Sequence, residues 1–96
     1  GYYLAMAELD AGLAQAATAH AAPLDARQLE AGSPGQHWGA RTDGLQARIL
    51  LAQGQCGDGR AQLATAVQTM RHNGLQEWIL ATFERDLVAP CPITAI

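Results

Sequence analysis

Lysine is absent from this chain of 96 residues, and its six arginines are outnumbered by nine aspartates and glutamates. Because the arginines are scattered singly, no basic patch is available to neutralise phosphates, and we expect no nucleic-acid binding. No apolar run reaches the roughly 18 residues that span a bilayer, so we expect no membrane contact by this segment. The lack of lysine beside abundant alanine is typical of a GC-rich bacterial genome. The chain starts at Gly1 and enters a helical pattern almost at once, which indicates a piece of a longer protein.

Side chains that carry chemistry are also few. The chain has three histidines, which are His20, His37 and His72. They do not form the HxxxH or HExxH spacing of metal sites, and the only serine, Ser33, stands in an SPG context typical of a helix cap. Neighbouring carboxylates such as Glu84 and Asp86 lie two residues apart, which places them on different faces of a helix. The sequence offers no catalytic constellation, cofactor motif or metal-ligand set, so we predict that the protein is not an enzyme.

Signals for β-strands are missing as well. Strict alternation of apolar and polar residues never lasts beyond a few positions, and β-branched residues are scarce, so we predict an all-α fold. Ninety-six residues correspond to about one domain, residues 1–96. Apolar residues make up 49% of the chain, but many are alanines, which bury little surface each. So thin a core favours support from a disulfide, a partner chain or a neighbouring domain.

Apolar periodicity and breaker residues divide the chain into five predicted helices. The helices cover about residues 3–21, 23–31, 36–53, 58–72 and 75–88. The third has a second interpretation, a loop to Arg41 with Thr42 as the helix cap, because three glycines weaken its first half. Residues 89–96 contain two prolines and should form an extended tail.

One heptapeptide occurs twice. GLQARIL at residues 44–50 returns as GLQEWIL at residues 74–80. We expect both copies to follow a break and to open an amphipathic helix, which would mark equivalent positions in successive helical units. The alternative is coincidence in a sequence of biased composition.

The segment from residue 42 to residue 73 resembles a tetratricopeptide repeat, whose pattern spaces small residues three or four positions before large ones. Ala47 precedes Leu50 in this way, and Gly59 precedes Leu63. The chain departs from the pattern where Asp43, Gln46 and Glu84 replace large residues, and where the closing proline is missing. The small residues Ala66 and Ala81 continue the pattern, so that the resemblance is best over residues 42–88.

This resemblance implies antiparallel helical hairpins, stacked into a superhelix fragment, with a groove that receives an extended peptide or a partner helix. Arg41 and Arg48 resemble the cationic residues with which some members of the family hold a partner's carboxylates, although solvated surface arginines are the alternative. Trp38 and Trp78 are candidate groove anchors, because aromatic residues dominate interface hot spots, or else belong to the core.

We therefore predict a protein–protein interaction or scaffold module of a larger bacterial regulatory or signalling protein. Its partner would be a protein or peptide. One alternative is a sensory domain whose helices enclose a small-molecule pocket. The other is a self-association module, a homodimer with a seam along the first helix. The seam would consist of Tyr2, Tyr3, Met6 and Leu9.

The two cysteines, Cys56 and Cys91, flank the last two predicted helices. If those helices are antiparallel and of similar length, both cysteines lie at the same end of the hairpin. Their Cα atoms could then reach the separation of about 4.4–6.8 Å that a disulfide needs. A bridge would stabilise the fold by about 2–4 kcal/mol and would imply an oxidising compartment such as the periplasm. The alternative is that both thiols stay reduced in a cytosolic protein.

We predict that the protein, when produced in an oxidising compartment, holds Cys56 and Cys91 in a disulfide. Alkylation of the unfolded, unreduced protein should then leave its mass unchanged, and alkylation after reduction should add two adducts. Mass spectrometry makes the measurement. Two adducts without prior reduction would show that the bridge does not form.

Overall fold

The computed structural model describes residues 1–89, and these residues form helices and turns without a strand. The six helices are α1 (Tyr2–Asp10), α2 (Ala14–Ala21), α3 (Ala26–Gly32), α4 (Trp38–Ala52), α5 (Cys56–His72) and α6 (Glu77–Val88). The all-α prediction is confirmed, and the expected helix count of five is wrong. Within this part of the chain, no helix combines the length and the apolarity that crossing a bilayer requires. Cys91 and all but the first residue of the predicted tail lie outside the described residues.

The extra helix arises because the predicted first helix breaks at Gly12. This glycine has φ +80°, a left-handed conformation that side chains disfavour. Its N–H donates to the carbonyl of Leu9, and the N–H of Leu13 donates to the carbonyl of Glu8, the pair of bonds of a Schellman motif. Gly54 ends α4 and Gly74 ends α5 with the same pair of bonds. Three of the turns between helices therefore share one glycine-based geometry.

The short third helix and the start of α4 also differ from expectation. Asp25, rather than Pro23, begins α3, because its carboxylate accepts a hydrogen bond of 2.9 Å from the N–H of Arg27. Helix α4 starts at Trp38, between the two starting points that the sequence allowed. The backbone N–H of Trp38 donates a hydrogen bond of 3.4 Å to the carboxylate of Glu30, which lies eight residues earlier in the sequence and caps the helix.

Helix α4 lies at the centre of the molecule and packs against each of the other five helices. Most of its residues are buried, including Leu45 and Ala47, neither of which has any exposed surface. Ala66 on α5 is also buried, as the close packing of α4 and α5 requires. The alanine-rich sequence therefore builds its core by bringing helix backbones close to a central helix.

The two heptapeptide copies do not occupy equivalent positions. The first copy lies inside α4, where Gly44 faces the ring of Phe83, so the expectation that it opens a helix is wrong. The second copy begins at Gly74 in a turn and leads into α6. Arg48 and Trp78 hold the same place in the two copies, but Arg48 is 5% exposed and Trp78 is 67% exposed.

We predict that Gly59→Ala destabilises the protein, because the new Cβ would lie 2.9 Å from Leu51 Cγ and 3.1 Å from the backbone nitrogen of Leu51. Gly57→Ala is the matched control on the same helix, since no atom lies within 4 Å of its Cβ position. Alanine gains about 1 kcal/mol of helix propensity at either site, whereas overpacking costs about 1–3 kcal/mol at residue 59 alone. Urea denaturation should therefore give a higher free energy of unfolding for Gly57→Ala than for Gly59→Ala. Equal free energies of unfolding for the two variants would contradict close packing between α4 and α5.

Candidate binding cleft at Arg41

Two adjoining cavities lie between α1 and α6, beside the first turn of α4. The smaller, of about 160 Å³, is lined mainly by residues of α1 and α6, and the larger, of about 420 Å³, extends to the turns before α4 and α6. The residues that line both cavities are Tyr3, Arg41, Trp78 and Ile79. Because these four residues are shared, we treat the two cavities as one space and call it the Arg41 cleft.

Arg41 is buried in the wall of this cleft, with 3% of its surface exposed. Its Nη1 donates to the hydroxyl of Tyr3 and its Nη2 to Oε1 of Gln36, each at 3.2 Å. The guanidinium carbon lies 4.9 Å from the centroid of the Trp38 ring, which places the charge over an aromatic face. Within residues 1–89, Arg41 forms no ion pair and its Nε has no hydrogen-bond partner. The solvated alternative for this arginine is wrong.

Arg48 is also buried, but its surroundings are different. Its Nε donates to Oδ2 of Asp86 at 2.5 Å, and its Nη2 donates to Oδ1 of Asp10 at 2.7 Å. These two bonds tie α4 to α6 and to α1. The charge of Arg48 is therefore neutralised inside the fold, and its guanidinium serves as a link between helices rather than as a solvated surface group.

Arg85, which is exposed, extends this link into a network. Its Nη2 lies 3.3 Å from Oδ1 of Asp10, and its Nε lies 3.5 Å from Oδ1 of Asp86. The hydrogen bond from Arg48 is the main reason why the pKa of Asp10 lies below its usual range, although desolvation opposes the shift. A carboxyl with a lowered pKa in the folded state stabilises the fold above the usual aspartate pKa. That contribution is lost as the pH falls through the lowered value.

The two tryptophans have separate roles in the structure. Trp38 is buried and makes edge-on contact with Tyr2, with ring centroids 5.0 Å apart, so it belongs to the core as well as to the support of Arg41. Its Nε1 has no hydrogen-bond partner among the described residues. Trp78 is 67% exposed at the rim of the cleft, where its indole N–H donates to the side chain of Gln76. Trp38, Trp78 and Arg41 are therefore brought together, while Arg48 lies apart from them.

The turn that forms the floor of the larger cavity is fixed by Glu30. One carboxylate oxygen of Glu30 accepts a hydrogen bond of 2.8 Å from the N–H of Gly35, and the other accepts from the first residue of α4. His37 then enters α4 with φ +55°, a left-handed conformation that is uncommon outside glycine. Sequence patterns gave no signal for Gln36, Gln76 or Tyr3 as cleft residues, because these polar and aromatic groups come from three separate segments.

The polar groups of the cleft suit ligand binding rather than metal binding. Among the described residues, no group of three or more histidine, cysteine, aspartate or glutamate side chains could hold a metal ion. The cleft instead presents a guanidinium, amide groups, a phenol and an exposed indole. Such a set can bind an anion and an attached apolar group.

We predict that Arg48→Met lowers the free energy of unfolding by about 2–4 kcal/mol, because it removes the hydrogen bonds that join three helices and leaves the mostly buried Asp86 carboxylate without its nearest counter-charge. Arg85→Met is the matched control, since Arg85 contacts the same two aspartates from a position that is 61% exposed. Exposed pairs contribute little, so this variant should lose less than about 1 kcal/mol. Chemical denaturation at neutral pH gives both values. An equal decrease in the free energy of unfolding for the two variants would show that the buried Arg48 stabilises the fold no more than the exposed Arg85 does.

Comparison with known proteins adds no outside evidence on this cleft. No family model, curated protein or solved structure matches the chain. The resemblance of residues 42–88 to tetratricopeptide repeats therefore stays a prediction from the sequence.

Proposed function

We propose that this chain is a non-catalytic interaction module of a larger regulatory or signalling protein, and that it binds a peptide segment or partner helix in the Arg41 cleft. The observation that carries the proposal is the exposure of two large aromatic side chains beside that cleft. Tyr3 is 62% exposed and Trp78 is 67% exposed, and both line the two cavities. Exposed aromatic residues next to a concave surface are typical of the centre of a protein interface.

We also propose that α4, α5 and α6 are stacked as antiparallel hairpins, in the manner of tetratricopeptide repeats. Leu51, near the end of α4, lies against Gly59, near the start of α5. Gly44, earlier in α4, lies against Met70, near the end of α5. This reversed order of contacts is the order that two antiparallel helices produce.

The contacts of α4 with α1 support a repeat of the same kind. Arg41 contacts Tyr3 and Arg48 contacts Asp10, and both pairs are 38 residues apart. A constant offset is the order that two helices produce when they run in the same direction. In a tetratricopeptide array the first helices of successive hairpins run alike and line the groove, and we assign α1, α4 and α6 to that set.

Ala81 occupies the next small position of the tetratricopeptide pattern. The pattern places a small residue at this position, where a following helix could approach closely. In the structure Ala81 is exposed on the outer face of α6, beside Trp78 and Glu84. Trp78 is therefore accessible both from the cleft and from the outer face of α6 that carries Ala81 and Glu84.

A sensory small-molecule domain is the second candidate, and the cleft has room for a small ligand. The larger cavity, of about 420 Å³, falls within the range of about 300–1,000 Å³ that is typical of ligand pockets. The self-association module has no such support. Tyr2 is buried, and Met6 and Leu9 pack against the core, so three of the four residues proposed for a dimer seam point inward.

We predict that peptides selected from a random phage-display library on the purified protein bind through Trp78. Trp78→Ala should lower the affinity for the selected peptides by about tenfold or more, because hot-spot aromatic residues contribute at least about 2 kcal/mol to the free energy of binding. Leu13→Ala is the control, since Leu13 is 54% exposed at the α1–α2 turn and does not line the cleft. Affinities can be measured by fluorescence anisotropy of labelled peptides.

Two results would overturn this proposal. Equal binding of the selected peptides to wild type and to Trp78→Ala would place their site elsewhere. A library that yields no peptide, together with a metabolite that raises the melting temperature and loses this effect in Trp78→Ala, would favour the sensory domain.

A further inference from the structure

We propose that Met6 is a site of oxidation, at which hydrogen peroxide that enters the cleft converts the thioether to a sulfoxide and thereby weakens the hold of Arg48 on its neighbours. This modification does not depend on what the cleft binds. The chain has two methionines, Met6 and Met70. Their surroundings differ in the access that they give to a small oxidant.

Met6 can be reached through the cleft. It is partly buried and lines the smaller cavity, of about 160 Å³. A water molecule takes up roughly 30 Å³ in the liquid, and hydrogen peroxide is a neutral molecule not much larger, so this space admits it. Met70 has no exposed surface and lies against Gly44 in the core. Peroxide therefore reaches Met6 in the folded chain, whereas it reaches Met70 only when the chain opens.

A hydrogen bond from Arg48 fixes the orientation of the Met6 sulfur. Nη1 of Arg48 donates to Sδ of Met6 at 3.4 Å, across 42 residues of sequence. A thioether sulfur carries two lone pairs, and it accepts this hydrogen bond with one of them. The other lone pair is the nucleophile that attacks a peroxide. Oxygen should therefore be added on one side of the sulfur, which produces one of the two sulfoxide epimers.

The reaction is a two-electron transfer of oxygen. The sulfur lone pair attacks one oxygen of hydrogen peroxide, so that an S–O bond forms as the O–O bond breaks. The departing hydroxide takes the proton left on the transferred oxygen, and water is released. The sulfur is oxidised, the peroxide is reduced, and no further reactant is consumed. Methionine sulfoxide reductases reverse this kind of oxidation.

The product changes the contact between Met6 and Arg48. The sulfur of a sulfoxide carries a partial positive charge, which repels a guanidinium at the 3.4 Å of the present hydrogen bond. The new oxygen is also a polar group in a cavity wall that includes the ring of Phe83. Arg48 joins α1 and α6 to α4 through Asp10 and Asp86, so a displaced guanidinium weakens the link between these three helices.

The test exposes the native protein to hydrogen peroxide and locates the added oxygen by mass spectrometry after digestion with trypsin. Cleavage after arginine places Met6 in the peptide of residues 1–27 and Met70 in the peptide of residues 61–71. We expect Met6 to be oxidised about tenfold or more faster than Met70 in the folded protein, because Met70 reacts only through opening of the chain. In denaturant the two methionines should react at similar rates.

The epimers of the product are measured on the peptide of residues 1–27. Two classes of methionine sulfoxide reductase each reduce one epimer, so treatment with each class gives the ratio. Peptide from the protein oxidised in its native state should be reduced almost completely by one class. Peptide from protein oxidised in denaturant should need both.

Oxidation should also lower the melting temperature of the wild type, by about 4 °C or more. Met6→Leu is the matched variant, because leucine has a similar volume and no sulfur. The melting temperature of this variant should be the same before and after peroxide treatment, so it also controls for oxidation at other residues. If Met6→Leu fails to fold, the comparison of Met6 with Met70 in the wild type still decides the matter.

Three results would overturn the inference. Met70 could react as fast as Met6 in the folded protein, the native product could contain both epimers in equal amounts, or the oxidised wild type could melt at the temperature of the untreated protein. None of these measurements involves a peptide ligand. Failure here is therefore distinct from failure of the proposed peptide binding, which is measured by the affinity of selected peptides for Trp78→Ala.

Discussion

The pairing of Arg48 with two aspartates is the interaction on which the rest of the structure depends. Helix α1 buries only Tyr2 and Ala5, and α6 buries only Leu80 and Phe83. Their other core residues, which are Met6, Leu9, Ile79 and Leu87, are only partly buried, so apolar packing alone holds these two helices less firmly than it holds α4. Arg48 holds the far ends of both helices against α4 through Asp10 and Asp86. At the other ends, beside Arg41, the same two helices are separated by the cleft. One ion-pair network thus closes one end of the space between α1 and α6.

The polar link matters because the core is built from small residues. Ala47 on α4 and Ala66 on α5 are buried, and Gly44 and Gly59 lie so close to neighbouring side chains that an added methyl group would displace them. Helices that pack closely through small residues make many weak contacts but bury little apolar area per residue. Hydrogen bonds and ion pairs are therefore needed to fix the position of each helix. The glycine-based turns contribute in the same way, because each fixes the angle at which one helix leaves the next.

The helices could be predicted from the sequence where breakers are strong, and the site could be predicted only in part. Prolines and glycine clusters located α5 and α6 to within about two residues, since turn signals and apolar periodicity agree there. Gly12 is a weak breaker among many alanines, which favour helix. The sequence therefore predicts one helix where the structure has α1 and α2. Arg41 and Arg48 are seven residues apart, a spacing that predicts one shared face if the helix extends back to Arg41. Which of them is neutralised could not be predicted, because Asp10 and Asp86 each lie 38 residues from Arg48.

The contrast between the two arginines also explains why the cleft can be a ready-made site. A ligand that must order its site on binding gives up part of its affinity, whereas a preformed site avoids that loss. Here Glu30 fixes the turn beside the cleft, and Arg48 fixes the separation of α1 and α6 at the closed end. Arg41 is held by Tyr3, Gln36 and the Trp38 ring before any ligand arrives. Any ligand that binds this preformed cleft in the folded chain, and does not bind the unfolded chain, would raise the free energy of unfolding.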